Sequence, residues 1–501
     1  MKSIHSLAVD LGAESGRVIS AAFDGNKLIL SEIHRFPNRP VRVRGHLHWN
    51  VLSLWDEVQS GLRKAASQLE PIASVGVDTW GVDFALLDAA GELIGNPYHY
   101  RDARTDGMMA LAFSRLPRER IFERTGLQFM QLNTLYQLLA MAEARAPALE
   151  HARALVMMPD LFHYWLSGEI ACEFTEATTT QFYNPRTQDW ARDVLRALGI
   201  PDHFLVRIVP PGTDFGELAE PVVRATDARL AGVRVIAPAS HDTASAVFGV
   251  PARSARYAYI SSGTWSLLGA VVTEAVITPQ ALAFNFTNEG GVNGTFRLLK
   301  NIMGMWLVQE CRRRWAAPDG TLIPYAELFA MAEAAPAFVA LIDPDAPEFL
   351  HPEDMPSAIA EHCRRSGQTP PADRGTMVRC ILESLALKYR LTLEQLQYLL
   401  GYPVEVIHVV GGGAQNALLC QFTADACQVP VVAGPVEATA VGNALVQLIA
   451  LGHLSSAEEA RELVRRSFQL TTYLPRASEV WEGVYHRFRQ LVSAPSSAAQ
   501  G

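Results

Sequence analysis

The segment SHDTASA, residues 240–246, puts a carboxylate where α/β sheets position reactive groups. It follows the apolar run VRVIAPA (233–239), which predicts a buried strand, and leads into a helical pattern near Thr243. Ligands of open α/β sheets bind beyond the carboxyl ends of the strands, where Asp242 would lie. A carboxylate there could accept the proton of an alcohol that attacks a phosphate. The residues leave one alternative open, in which Ser240 or Asp242 only caps the next helix.

The segment VDLGAESGR, residues 9–17, has the composition of a phosphate-binding turn. Gly12 and Gly16 permit a tight backbone whose N–H groups point inward toward an anion. Asp10 ends the preceding apolar strand, where a carboxylate could hold Mg²⁺ through water. An ordinary hairpin that carries an aspartate explains the same residues equally well.

Two further glycine-containing turns lie in the second half of the chain. SSGTWSL (261–267) separates two strand patterns, and VVGGGAQN (409–416) separates a strand from a helix. Three glycines would let a flat ring approach the backbone, and a helix N-terminus favours negative charge. The alternative for 261–267 is a β-turn rich in small residues.

The strand pattern VGVDTWGVDF (75–84) is interrupted by Gly81 and carries an aromatic ring beside carboxylates. This combination suits a sugar, which offers apolar faces and many hydroxyl groups. The alternative is that Trp80 belongs to the core and that Asp78 and Asp83 are turn residues.

The residue patterns around these turns predict strands and one helix between residues 4 and 88. Residues 4–36 read as three strands, with a hairpin turn at 24–26. Ser53 is expected to cap a helix with one apolar face, formed by Trp55, Val58, Leu62, Ala66 and Leu69. FALLD (84–88) is expected to continue the strand of 73–80.

The strand–turn–strand plan of residues 7–23 returns in RYAYISSGTWSLLGAVV, residues 256–272. This repetition predicts two duplicated α/β domains that face each other. We expect a first domain at 1–250, a second at 251–485 and a disordered tail at 486–501.

Composition excludes several classes of protein. The chain has 501 residues, 49% hydrophobic and 19% charged, and a net charge of -9, which disfavours a nucleic-acid partner. Six cysteines show no CxxC pair, and we expect neither a disulfide framework nor structural zinc. No apolar run approaches the ~18 residues that span a bilayer. We therefore expect a cytoplasmic protein without nucleic-acid or membrane partners.

Long motifs make the chain resemble the FGGY carbohydrate kinases of the actin/hexokinase ATPase superfamily, over roughly residues 5–480. The motifs are VDLGAESGRV, EIHRF, GVDTWGVDF, NTLYQL (133–138), EATTTQ (176–181), SHDTASAV, SSGTWSL, TNEGG (287–291), LKNIMGMW (299–306), HVVGGGAQN and AGPVEATAVGN (433–443). The resemblance implies two actin-like (ribonuclease H-like) ATPase domains with a ligand cleft between them. It implies a monomer or simple homo-oligomer that binds ATP, Mg²⁺ and a small sugar.

The resemblance also implies a role for each matching residue. Asp242 would be the proton acceptor, and Asp10 would act on Mg²⁺ through water. The sugar would contact Gly81, His241, Asp242, Thr243 and Asn301. ATP would contact Ala13, Glu14, Ser15, Gly16, Arg17, Thr264, Gln309 and Gly412.

The resemblance implies phosphorylation of L-rhamnulose at O1 by MgATP. L-Fuculose or L-xylulose are alternative substrates, and a non-catalytic sugar sensor or chaperone-type ATPase is the alternative of another class. Glu14 departs from the hydroxyl residue often found at its position, so it should point outward or reach Mg²⁺ or Arg17. Cys363 and Cys380 match a cysteine pair of relatives, although a reducing cytosol disfavours a bond between them.

Overall fold

The structure is a computed structural model that describes residues 3–350, 352–476 and 478–493. The strands are β1 (Ile4–Leu11), β2 (Ser15–Phe23), β3 (Leu28–Pro37), β4 (Val41–Val43), β5 (His46–His48), β6 (Ile72–Thr79), β7 (Phe84–Leu87), β8 (Ala154–Met157), β9 (Cys172–Glu173), β10 (Tyr183–Asn184), β11 (Asp189–Trp190), β12 (Ile208–Val209), β13 (Asp214–Glu217), β14 (Arg234–Ile236), β15 (Tyr257–Ser262), β16 (Trp265–Val272), β17 (Thr287–Gly290), β18 (Phe296–Met303), β19 (Val406–Val410), β20 (Val431–Ala433) and β21 (Thr471–Tyr473).

The α-helices are α1 (Val51–Gln68), α2 (Met108–Arg115), α3 (Arg118–Thr125), α4 (Thr134–Glu143), α5 (Pro147–His151), α6 (Met158–Ser167), α7 (Phe174–Ala177), α8 (Arg192–Ala197), α9 (Glu220–Ala225), α10 (Asp242–Phe248), α11 (Pro279–Phe284), α12 (Trp306–Arg314), α13 (Tyr325–Ala334), α14 (Met355–Arg365), α15 (Arg374–Leu400), α16 (Ala417–Cys427), α17 (Ala438–Ala450), α18 (Ala457–Ser467) and α19 (Ser478–Ser493). No helix among the described residues is long and apolar enough to cross a membrane.

The chain divides into two compact units, and each unit is made of three separate stretches of the sequence. The first unit comprises Met1–Pro251, Val271–Leu298 and Glu437–Phe468. The second comprises Ala252–Ala270, Leu299–Val436 and Gln469–Gly501.

The first unit is built on a sheet with the strand order β13-β14-β6-β1-β2-β3. Strand β1 pairs antiparallel with β2 and parallel with β6, and β6 pairs parallel with β14. One face of the sheet packs on α1 through residues such as Val58 and Leu62. Apolar residues of α17, among them Ala440 and Val441, pack with residues of β1 and β2 such as Ala8 and Ala21.

The second sheet repeats this plan, in the order β17-β18-β16-β15-β19-β20-β21. Strand β15 pairs antiparallel with β16 and parallel with β19, as β1 does with β2 and β6. The long helix α15 is capped by Asp373, which accepts the N–H of Thr376, and ends at Gly401 in the left-handed conformation. The predicted duplication of an α/β strand–turn–strand plan is therefore confirmed.

The predicted hairpin between the second and third strands is confirmed, and the predicted cap of the first helix is wrong. Asp24 accepts the N–H groups of Asn26 and Lys27, both at 2.7 Å, and closes the predicted hairpin. Helix α1 is capped by Asn50, whose side chain accepts the Ser53 N–H, so Ser53 lies inside the first turn. Ser53 directly precedes the apolar periodicity, but the helix begins at Val51, and its cap lies three residues before the predicted one.

The segment 84–88 does not continue β6. Strand β7 pairs antiparallel with β8 in a separate two-stranded sheet. Val82, between β6 and β7, has φ +71, which turns the chain away from the first sheet. At the other end, α19 extends to Ser493, so residues 486–493 of the expected tail are helical, and 494–501 lie outside the described residues.

Candidate active site

Parallel strands of the first unit bring three carboxylates to one edge of their sheet. Asp10 lies near the end of β1, opposite Asp78 on β6. Asp242 begins α10 just after β14, and the preceding segment is tied to β6 by the hydrogen bond from the Thr79 N–H to the Ser240 carbonyl (2.9 Å). The carboxyl ends of parallel strands meet on one side of a sheet, so the topology itself gathers these acids.

Asp242 is held by the first turn of its helix. Its Oδ1 accepts the N–H of Thr243 at 2.5 Å and the Thr243 hydroxyl at 3.1 Å, and its side chain is 32% exposed. Burial, and then the negative charge of Asp10, raise the pKa of Asp242 to about 7 against the opposing effect of these hydrogen bonds. A carboxyl that titrates near neutral pH is suited to accept and release a proton. The N-cap residue of α10 is His241, which makes no side-chain capping bond.

The turn between β1 and β2 is anchored by Asn38. The Asn38 backbone N–H donates to the Glu14 carbonyl at 3.0 Å, and its side-chain amide donates to the Gly12 carbonyl at 2.9 Å. A Cβ added to Gly16 would lie 2.2 Å from the Phe36 ring, so packing requires glycine there. Ala13 and Ser15 are half-buried in this turn, and Glu14 is exposed.

Arg17 lies opposite Asp10 on β2 and forms ion pairs with two carboxylates, those of Asp10 and Glu437. The guanidinium fork fits carboxylate and phosphate oxygens alike. Glu437 immediately precedes α17 and was missed at the sequence level, although it stands within the motif AGPVEATAVGN.

The groups around this turn fit a magnesium-bound nucleotide. Asp10 has a carboxylate oxygen of the kind that Mg²⁺ prefers, and Arg17 has N–H donors of the kind that phosphate oxygens accept. Within the described part of the chain, no cluster of three or more His, Cys, Asp or Glu residues could hold a metal ion.

The predicted sugar residues of the first unit gather around Gly81. A Cβ added to Gly81 would lie 2.9 Å from Thr179 Cγ2 and 3.3 Å from His241 Nε2, so glycine leaves room beside the imidazole. The Val82 N–H that follows donates to Thr179 Oγ1 at 3.0 Å. His241 and Thr243 flank Asp242 on α10, and both are buried.

A buried chain of hydrogen bonds, here called the relay, runs from Glu173 through Thr175 to the backbone of residues 240 and 241. Glu173 Oε2 accepts the N–H groups of Thr175 (2.9 Å) and Ser240 (3.1 Å) and also the Thr175 hydroxyl. The Thr175 hydroxyl oxygen in turn accepts the His241 N–H at 3.0 Å. Burial raises the pKa of Glu173 to about 7 although these hydrogen bonds lower it. Glu173 belongs to no motif of the sequence, and Thr175 stands just before the motif EATTTQ.

Trp80 and Asp83 are buried in the structure, and Asp78 lies on β6 and not in a turn. Asp83 is fully buried, and its Oδ2 accepts the indole N–H groups of Trp49 (2.5 Å) and Trp80 (3.0 Å). Gln137 donates to its Oδ1 at 2.8 Å. Burial raises the pKa of Asp83 to about 6 against these bonds.

In the second unit, the triple glycine packs against the end of β15. Gly411 has φ +81, and a Cβ on Gly413 would lie 2.0 Å from Ser262 Oγ. A Cβ on Gly412 would meet nothing within 4 Å. The neighbouring glycines are thus required by packing and conformation, whereas Gly412 borders open space.

The other residues of the second unit that are expected to contact a ligand come after β15 in the chain. The Thr264 carbonyl accepts the N–H groups of Gly304 (3.2 Å) and Trp306 (3.1 Å), which anchors the start of α12. Gln309 lies on α12, and its Oε1 is buried without a hydrogen-bond partner among the described residues. Asn301 lies on β18 and is grouped with this unit, whereas Gly81, His241 and Thr243 belong to the first.

Comparisons with known proteins agree with this architecture. Models of the N-terminal and C-terminal domains of the FGGY family of carbohydrate kinases match residues 5–249 and 258–451. The chain is 46% identical over 485 residues to a rhamnulokinase of Bacteroides thetaiotaomicron, covering 97% of this chain and 99% of the relative. It is 45% identical over 498 residues to a rhamnulokinase of Pectobacterium atrosepticum, covering 99% and 98%.

Solved structures share the fold at low identity. A gluconate kinase from Lactobacillus acidophilus matches with a TM-score of 0.81 at 16% identity and covers 98% of both chains. A ligand-bound xylulose kinase from the same organism matches with a TM-score of 0.80 at 16% identity and covers 99% of both chains. Since both family models and near-full-length relatives match, the chain belongs to the FGGY family of carbohydrate kinases, which phosphorylate sugars with ATP and Mg²⁺.

Proposed function

We propose that the chain phosphorylates L-rhamnulose at O1 and releases L-rhamnulose 1-phosphate and ADP, as a step of L-rhamnose breakdown. The observation that carries the substrate assignment is the 43–46% identity to four proteins named rhamnulokinase, over at least 95% of this chain.

Asp242 is the proposed proton acceptor. Its carboxylate takes the proton of the O1 hydroxyl while O1 forms a bond to the γ-phosphorus of ATP and the bond from that phosphorus to the bridging oxygen breaks. The pKa of about 7 supports this role, because the carboxyl is substantially ionised at neutral pH and still basic. When bound near Asp10, Mg²⁺ would neutralise charge on the phosphates.

The remaining residues divide between the two ligands. We assign the sugar to Gly81, His241, Thr243 and Asn301. We assign ATP to the residues Ala13, Glu14, Ser15, Gly16, Arg17, Thr264, Gln309 and Gly412. In domain terms, 1–250 would carry the sugar and phosphate side and 251–485 the nucleotide side.

We further propose that the enzyme works in the cytoplasm as a monomer or simple homo-oligomer. The six cysteines are free thiols in the structure, Cys363 and Cys380 included, which suits a reducing compartment.

The test is ADP formation by purified protein with MgATP and each of L-rhamnulose, L-fuculose, L-xylulose, D-xylulose, D-ribulose and glycerol. We expect the highest kcat/KM for L-rhamnulose, and ³¹P NMR of the product should show a phosphate ester at C1. A higher kcat/KM for another sugar would overturn the substrate and keep the kinase reaction. Absence of sugar-dependent ADP formation by folded, ATP-binding protein would overturn the kinase assignment.

Asp242→Asn tests the proton acceptor in the same assay. We expect turnover to fall by about 10³-fold or more while ATP affinity persists, because the amide cannot accept the proton. Asp227→Asn is the matched control, since Asp227 is a surface aspartate paired with Arg229. Near-normal turnover of Asp242→Asn would refute the assignment.

A further inference from the structure

Arg297 is a fully buried cation in the first unit, at the start of β18. Its Nε donates to the Gly290 carbonyl at 2.8 Å. Its Nη2 lies 3.1 Å from Glu289 Oε2 and 3.0 Å from His241 Nδ1. The Nη1 atom is buried without a hydrogen-bond partner among the described residues. No motif of the sequence analysis included Arg297, and the proposed reaction leaves it without a role.

The contact with Arg297 determines which nitrogen of His241 carries the proton. A guanidinium has five N–H donors and no acceptor, and it stays protonated in proteins. His241 Nδ1 must therefore accept, and in a neutral imidazole the single N–H is then on Nε2. Burial, and then the charge of Arg297, lower the pKa of His241 well below its ordinary value, which keeps the ring neutral.

The Nε2 atom faces the residues proposed to contact the sugar. It lies 3.5 Å from Asp242 Oδ1, and a Cβ on Gly81 would come within 3.3 Å of it. A separation of 3.5 Å is too long for a good N–H···O bond, so the Nε2–H group is available to another acceptor. A sugar oxygen beside the hydroxyl that Asp242 deprotonates would provide one.

We propose that Arg297 is a positioning residue that fixes His241 as the Nε2–H tautomer, so that the imidazole donates a hydrogen bond to an oxygen of the sugar. This inference rests on the proposed function for the identity of the acceptor, but the tautomer itself follows from the Arg297 contact. Glu289 has the opposite effect, because its Oε2 lies 3.5 Å from His241 Nδ1 and would accept a proton from it. Arg297 prevents this by binding both groups with the same Nη2 atom.

The first test is ¹⁵N NMR of protein labelled at histidine, with His241→Gln to assign the signals. We expect His241 to show an unprotonated Nδ1 and a protonated Nε2 between about pH 6 and 8. Arg297→Met should move the population toward the Nδ1–H tautomer, because Glu289 then becomes the partner. Arg297→Lys should retain the Nε2–H tautomer, because an ammonium also only donates. An Nδ1–H tautomer in the unsubstituted protein would overturn the proposal.

The second test separates sugar recognition from stability. Arg297→Met should raise the KM for the sugar by about tenfold or more and leave the KM for ATP within about twofold, since the lost contact is on the sugar side. Arg379→Met is the matched control, because Arg379 also forms a largely buried pair, with Glu383. The control should lose thermal stability without moving the His241 signals or the sugar KM.

The outcomes distinguish this inference from the proposed function. The tautomer is measured without any substrate. The NMR result therefore tests the tautomer even if the chain shows no sugar-dependent activity. If Arg297→Met does not fold, the unsubstituted protein and Arg297→Lys still decide the tautomer. An Nε2–H tautomer with an unchanged sugar KM in folded Arg297→Met would refute the role in sugar binding.

Discussion

Asp10 and Asp78 lie directly opposite each other on parallel strands β1 and β6, but the two carboxyl groups have different partners. Asp10 pairs with Arg17, whereas the Oδ2 of Asp78 accepts the Asn443 side-chain amide at 2.5 Å. Burial, and then the charge of Asp10, raise the pKa of Asp78 well above its ordinary value. Burial therefore favours the neutral form of Asp78, whereas Asp10 has the guanidinium of Arg17 as its partner.

Substitution of these two aspartates should separate charge from packing. Asp78→Asn is expected to keep kcat within about tenfold of the unsubstituted enzyme, because burial favours the neutral form of Asp78, which the amide resembles in shape and charge. Asp10→Asn should lose about a hundredfold or more, since it removes the carboxylate proposed for Mg²⁺. Steady-state kinetics with saturating sugar and MgATP measure both variants. Equal losses in the two variants would contradict this assignment of charge.

Asp242 predicts a pH dependence of the reaction. Its pKa of about 7 means that the carboxyl becomes protonated as the pH falls through that value, and a protonated base cannot accept the sugar proton. We expect kcat/KM for the sugar to be constant above the pKa and to fall by about tenfold per pH unit well below it. A kcat/KM profile that stays flat down to about pH 5 would argue against a base with this pKa.

The raised pKa of Asp242 also predicts that folding stability falls with rising pH, whereas activity rises. An acid whose folded pKa lies above its unfolded value binds more protons in the folded state between the two values, so stability falls as the pH rises through that window. Asp242→Asn removes this loss and should raise Tm relative to the unsubstituted protein at about pH 8, with little difference near pH 4. Differential scanning calorimetry at both pH values measures it. A lower Tm for the variant at the higher pH would show that the ionised carboxylate stabilises the fold.

Arg17 predicts a specific effect on nucleotide binding. Its guanidinium is held by Asp10 and Glu437 beside the turn proposed to bind phosphates. Arg17→Met should raise the KM for ATP by about tenfold or more, because charged hydrogen bonds to phosphate are lost, and should leave the sugar KM nearly unchanged. Arg35→Met is the control, since its pair with Glu32 is exposed and contributes little. A larger effect on the sugar KM than on the ATP KM would exclude the phosphate role.

The duplicated strand–turn–strand plan could be predicted from the sequence because it depends on local patterns. Apolar runs that end in glycine turns mark β1, β2, β15 and β16, and the pairing of neighbouring strands follows from the short turns. The pairing of β7 with β8 could not be predicted in this way. These strands are about 70 residues apart, and the positive φ of Val82 that separates β7 from β6 is rare for a β-branched residue.

The residues of the candidate site also divide into those that local sequence predicts and those that it does not. Asp10, Arg17 and Asp242 stand at strand ends or in turns, where residue type alone suggests chemistry. Glu437 and Arg297 come from distant parts of the chain and act through contacts that only the fold creates. An isolated arginine in a strand carries no motif, so its contact with His241 has no signature in a single sequence.

We expect Thr175 to help position Asp242 through its hydrogen bond to the neighbouring backbone. Its hydroxyl donates to Glu173 and accepts the His241 N–H, which directly precedes Asp242. Thr175→Val keeps the shape but leaves the buried His241 N–H without its acceptor, so we expect a loss of about 1–3 kcal/mol in the free energy of unfolding. We also expect kcat to fall more than the ATP KM rises, because the displaced segment carries Asp242, the proposed proton acceptor. Thr175→Ser should restore most of the turnover, since it restores the hydroxyl.

The control for this variant is Thr423→Val, which removes a buried hydroxyl that donates only within its own helix, to the Leu419 carbonyl at 2.7 Å. It should lose stability on a similar or smaller scale and keep kcat. Chemical denaturation measures the free energy of unfolding of each variant, and steady-state kinetics on the same samples measure kcat. If Thr175→Val and Thr423→Val lose equal stability and neither changes kcat, the relay from Glu173 supports the fold alone. A selective loss of kcat in Thr175→Val, restored by serine, would mean that the relay sets the position of Asp242.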